Sequence, residues 1–119
     1  MNYPWLEQYL LSKAGAVKDF KEEWGARRFM LGGKMFALWG GDKEGRPIVT
    51  LKLDPGRGDA LRQEYPDIVP GYYMNKLHWN SLYLEGSVPD DIVRSMADES
   101  YAILLASLPK KVQAEIAAK

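Results

Sequence analysis

Cysteine is absent from the 119 residues, which excludes disulfide staples, thiolate metal sites, iron–sulfur clusters and cysteine nucleophiles. Histidine occurs once, at His78, so any catalytic dyad needs a partner of another type. An excess of either charge is also missing: 16 basic side chains face 16 acidic ones, and the isoelectric point is near 6.6. Neither half is a charged tail, with 10 basic and 8 acidic residues in 1–60 and 6 and 8 in 61–119. The longest unbroken apolar run is Tyr101–Ala106, far short of the roughly 20 residues of a membrane span. No basic start with an apolar stretch marks a signal peptide, so a cytoplasmic domain without membrane contact is expected. GxSxG, GxGxxG, HExxH and phosphate-loop motifs are all missing.

What is present suits a packed core. Aromatics make up 12% of the chain, and the length fits one domain over residues 1–119. Asn2-Tyr3-Pro4 reads as the start of a helix over about 3–14, with Asn as cap and Pro in the first turn. Residues 17–24 read as an extended strand. Arg27–Leu31, Gly32-Gly33 and Lys34–Trp39 have the form of a β-hairpin. Simple alternation puts Phe36 and Leu38 on one face and Met35, Ala37 and Trp39 on the other, as for a central strand covered on both sides. Pro47 opens a strand in which Val49, Leu51 and Leu53 alternate with Ile48, Thr50 and Lys52. Asp54-Pro55 starts a helix over about 55–66, and 79–84 reads as a further strand. A long helix follows Pro89, with a single stripe from Val93 to Leu108, and a short one covers 110–119. The pattern is α+β: an antiparallel sheet of about five strands with helices packed on it.

Candidate chemistry concentrates in one stretch. Ile68–Leu84 contains Lys76 and His78 but no acid, together with Tyr72, Tyr73, Trp79 and Tyr83. Aromatics favour strands for structural reasons alone. They also suit an anionic or planar ligand. Lys34 and Lys52 stand in otherwise apolar strands. If their heads share a sheet face with Lys76, three cations form a phosphate-binding patch without base readout. Asn75 and His78 have an equally adequate structural role, bracing the loop before the last strand. The acidic pairs Glu22-Glu23, Asp90-Asp91 and Asp98-Glu99 lack the alternation of a calcium loop, so no metal and no cofactor is expected.

Several strings together resemble the MmcQ/YjbR family of small bacterial proteins. They are Gly33–Leu38, Leu51–Pro55, Pro70–Trp79, Asp98–Tyr101 and Leu108–Lys111, in that order along nearly the whole chain. The Asn-Lys-x-His-Trp core at 75–79 is the most specific, and Tyr73 stands where many members carry histidine. The resemblance implies a CyaY-like (frataxin-like) fold and a DNA-binding role through hairpin wings. Carried onto this chain, the positions are Lys34, Lys52, Asn75, Lys76, His78 and Trp79, and Tyr73 joins them as a candidate. The expected function is therefore a non-enzymatic DNA-binding domain with a weakly basic, aromatic surface, binding weakly and with strong salt dependence. The alternative is a module for a small anionic ligand or a partner protein. The frataxin-like fold that the resemblance implies also raises an iron-handling role, for which the first helix offers only Glu7, with Asp19, Glu22 and Glu23 following; it ranks below DNA binding. An enzyme with His78 as base rests on that residue alone.

Overall fold

The computed structural model describes residues 1–71 and 74–118. The elements run α1 (Leu6–Leu11), β1 (Val17–Lys21), a 3-10 turn (Glu22–Trp24), β2 (Ala26–Leu31), β3 (Lys34–Gly41), β4 (Pro47–Lys52), α2 (Pro55–Glu64), β5 (Ile68–Pro70), β6 (Trp79–Tyr83), α3 (Asp90–Ser107) and α4 (Lys110–Ala117). The six strands form one antiparallel sheet in the order β1-β2-β3-β4-β6-β5. The α+β expectation holds. The strand beyond the expected five is β5, three residues ending on a proline that has no N–H to donate.

Directly opposed residues of antiparallel strands share a face. Phe29, Ala37, Leu51 and Asn80 therefore lie on one side, with Trp39, Val49, Leu82 and Ile68. This side is covered by the helices and holds the core, where α3 contributes Val93, Met96, Ala97 and Leu104. The other side carries Met35, Leu38, Ile48, Thr50 and Lys52, and among the described residues no helix lines it.

The expectation that β3 is covered on both faces is thus corrected, and so is its alternation. The β2–β3 register shifts at Phe29/Met30, where Phe29 opposes Ala37 but Met30 opposes Met35. One extra residue, Phe36, sits in the bulge. Phe36 is fully buried with its ring 5.5 Å from that of Tyr101, edge to face, so Phe36 and Ala37 both point to the core. Met35 and Leu38 take the open side.

Helix α3 repairs the ladder at this irregularity. The buried Ser100 hydroxyl donates to the Phe36 carbonyl at 2.6 Å and accepts the Lys52 N–H at 2.8 Å. Asp54 caps α2 as expected, accepting the Gly56 N–H at 3.2 Å. The expected cap at Asn2 is not formed, because α1 begins only at Leu6. The Asn2 amide instead reaches the Glu85 and Gly86 carbonyls, and its backbone N–H donates to Leu84. Among the described residues, no helix is long and apolar enough to cross a membrane.

Candidate functional site

The open side of the sheet is concave. Ala26, Met35, Leu38, Gly40, Ile48 and Thr50 make the floor of a hollow of about 690 Å³. Trp24 and Glu23 stand at one side, Gly41 and Asp42 at one end, and Met74 reaches in from the segment before β6. The volume lies within the range of small-ligand sites, which are mostly apolar with a few polar groups. Sequence chemistry explains the depth. A Cβ on Gly40 would come within 3.1 Å of the Ala26 methyl, so neither position adds bulk to the floor.

The walls are fixed by local structure. Gly25, with φ +58°, ends the 3-10 turn in the left-handed region and leaves Trp24 at the tip, 56% exposed. The Lys21 ammonium and the Arg28 guanidinium lie 5.7 and 5.8 Å from the Trp24 ring. Both cations are also paired, Lys21 with Glu23 at 3.2 Å and Arg28 with Asp19 at 2.6 Å. At the far end, burial pushes the Asp42 carboxyl up, but the backbone N–H groups of Arg46 and Glu44 and the Arg46 guanidinium outweigh it. Asp42 is therefore held below the ordinary carboxylate range and fastens the β3–β4 turn.

On the floor, the Thr50 and Ser81 hydroxyls are hydrogen-bonded at 2.8 Å. Two residues beyond Thr50 on the same face, Lys52 lies across from Trp79 with its ammonium 5.9 Å from the indole centroid. The Trp79 backbone carbonyl accepts the Gly71 N–H, and the Lys76 ammonium donates to the Gly71 carbonyl at 3.2 Å. Lys52 is thus linked to Trp79, and Lys76 to Trp79 through the Gly71 backbone. Among the described residues, neither lysine has a carboxylate within 4.0 Å.

The other expected site residues fall differently. Lys34 opposes the fully buried Leu31 on the helix-covered side, its ammonium 3.5 Å from the Ser107 hydroxyl. The bulge at Phe36 reverses the alternation between Lys34 and Leu38, so Lys34 does not share a sheet side with Lys52 and the expected three-lysine patch does not form. Asn75 braces its own turn: its side chain accepts the Leu77 N–H at 2.9 Å, and its carbonyl accepts from His78 and Trp79. His78 is half-buried and works through its backbone, whose carbonyl accepts from Leu53 and from the Asn80 amide. Among the described residues its imidazole makes no hydrogen bond and meets no group that would orient it as a general base. Tyr73 lies outside the described residues.

The acids weighed for iron are engaged elsewhere. Hydrogen bonding from Lys18, with Arg27 beside it, holds Glu7 below its ordinary range, and Asp19 is paired to Arg28. Among the described residues, no group of three metal-ligating side chains converges. Sequence reasoning missed Trp24, Met35, Leu38 and Ile48 as site residues. They come from three elements, the 3-10 turn, β3 and β4, and no local pattern joins them.

The fold and hollow define a class: a small α+β domain whose sheet is packed by helices on one side and offers a concave open side on the other. The chain belongs to the YjbR family, whose sequence profile matches residues 11–103. It is similar to the protein YjbR of Escherichia coli K12, 35% identical over 106 residues and covering 89% of each chain. It is also similar to YbdF of E. coli O157:H7, 35% identical over 88 residues, 74% of this chain and 71% of that one. Among solved structures, Deinococcus radiodurans DR2400, with a DUF419 domain, superposes with a TM-score of 0.83 at 29% identity over 94% of this chain and 85% of that one. A Pseudomonas syringae protein shares the fold at a TM-score of 0.72 and 24% identity, over 87% and 98%.

Proposed function

We propose that this chain is a non-enzymatic binding domain whose open sheet side receives a small organic anion. The apolar or aromatic body of the ligand lies in the hollow, and its negative group meets Lys52 and Lys76. The observation that carries this reading is the apolar floor whose lining residues Thr50 and Met74 each lie two residues from a lysine, Lys52 and Lys76, that no described carboxylate neutralises. An unpaired ammonium at the rim of an apolar concavity gains a charge-assisted contact without first breaking an ion pair.

DNA, the role expected from the family resemblance, is the second reading. The exposed Trp24 and the Lys52–Trp79 stack are groups that unpaired bases use. Against a duplex stands the pairing of most arginines. Arg27, Arg28, Arg46, Arg57 and Arg62 each have a carboxylate within 4.0 Å, so these five would release few counterions on meeting phosphate.

Fluorescence titration with 1-anilinonaphthalene-8-sulfonate, an aromatic sulfonate, tests the first reading. Binding to the native protein is expected, weakened about tenfold in the Lys52→Ala/Lys76→Ala double variant, as for the loss of charged hydrogen bonds. Unchanged binding in that variant would remove the basis of the reading. Parallel titrations with short single-stranded and duplex DNA decide the second reading, which requires affinity that falls steeply with salt.

A further inference from the structure

The two edges of the sheet are built differently. Strand β5 closes one edge with three residues and a terminal proline, a protected edge. Strand β1 closes the other with five residues and no proline or glycine. Four of its five residues are exposed, and Val17 and Phe20 are each 60% exposed. Its ladder to β2 uses one side of the backbone, and the outer N–H and C=O groups face outward. A shallow depression lined by Lys18, Asp19, Phe20 and Arg27 runs beside this edge.

We infer that β1 pairs with β1 of a second copy of this chain, joining two sheets into one across a two-fold axis. Two antiparallel strands related by such an axis keep the same face up, so only residues of like parity oppose each other. Centring the axis on Phe20 satisfies this rule. Phe20 then meets its own copy on the helix-covered side, beside Arg27 and the depression. On the open side Asp19 opposes Lys21 of the partner, and Lys21 opposes Asp19 in return. Centring one residue earlier sets Asp19 against Asp19, a like-charge contact that the Phe20 register avoids. The chain is therefore self-complementary along this edge in one register: an aromatic pair flanked by two opposite-charge pairs. The contact is short, so the dimer is weak and concentration-dependent. This inference stands on the sheet edge and is independent of the ligand reading.

Sedimentation equilibrium of the full chain from about 5 to 500 μM, which brackets weak association, tests it. The wild type is expected to rise from monomer towards dimer across that range. Asp19→Lys creates two like-charge oppositions per dimer and is expected to weaken association about tenfold. Adding Lys21→Asp in the same chain swaps both signs and is expected to restore it, a recovery that general damage to the fold would not give. Phe20→Ser alters an exposed side chain and is expected to weaken the dimer while the melting temperature holds. A monomeric wild type at every concentration overturns the proposal and leaves the edge to a different chain. So does a dimer indifferent to Asp19→Lys, or a double variant that stays as weak as the single one.

Discussion

Two of the strings that carry the family resemblance, Asp98–Tyr101 and Asn75–Trp79, are used by the structure in opposite ways. In Asp98–Tyr101 every side chain is committed to a different part of the fold. Asp98 accepts from Lys13 and Tyr9, Glu99 pairs with Arg57, Ser100 bridges β3 and β4, and the Tyr101 hydroxyl donates to the Ala14 carbonyl. In Asn75–Trp79 the commitment among the described residues is partial, and Asn75 alone is held on both its side chain and its carbonyl. The Lys76 ammonium meets one carbonyl, the His78 imidazole meets nothing among the described residues, and Trp79 lies under Lys52. The lesson is that a recognisable motif is not by itself a site. A string whose polar atoms are all satisfied internally serves stability, and one that leaves charge and ring faces uncommitted is available for a ligand.

This contrast has consequences of graded size. The largest is expected for Ser100→Ala. It leaves the Phe36 carbonyl and the Lys52 N–H without the bonds α3 supplies, at a cost of about 2–4 kcal/mol by the usual penalty for buried unpaired groups. Urea unfolding measures it, and a loss under about 0.5 kcal/mol, the size of an ordinary surface substitution, would erase the distinction between the strings. Asn75→Ala comes next, at about 1 kcal/mol for a lost turn hydrogen bond, followed by thermal unfolding. Its effect on sulfonate binding should be smaller than that of Lys76→Ala.

Acid should act on the first string. Burial raises the Asp98 carboxyl, but hydrogen bonds from Lys13 and Tyr9 outweigh it and hold it below the ordinary range; Glu7 is likewise lowered, first by Lys18. Groups with a lowered folded pKa contribute stability that is complete above the unfolded value and lost as pH falls towards the folded one. Melting temperature should therefore fall as pH drops below about 4, the unfolded carboxylate range. The decline should be shallower in Asp98→Asn. The smallest effect is expected for Lys34→Ala, which should leave sulfonate binding unchanged within error. A loss as large as that of Lys52→Ala would return Lys34 to the site.

Much of the fold is legible in residue order. The Asp54-Pro55 cap, the Gly32-Gly33 hairpin, the alternation of β4 and β6 and the stripe of α3 follow from local rules. The bulge is not legible, because Phe36 next to Ala37 is as compatible with strict alternation as with two consecutive inward residues. That single extra residue decides which side of the sheet Lys34 joins. Strand β5 escapes because three residues carry no period. The hollow escapes because its floor combines three strands whose outward residues are apolar for no local reason. In a sequence, such residues look like the second face of a covered strand.

The first three residues do more than their position suggests. The Asn2 backbone and side chain bond to 84–86, and the buried Tyr3 ring sends its hydroxyl to the Val88 carbonyl at 2.8 Å. They act as a plug at the end of the core. Deleting residues 1–3 would leave that end of the interior unstoppered.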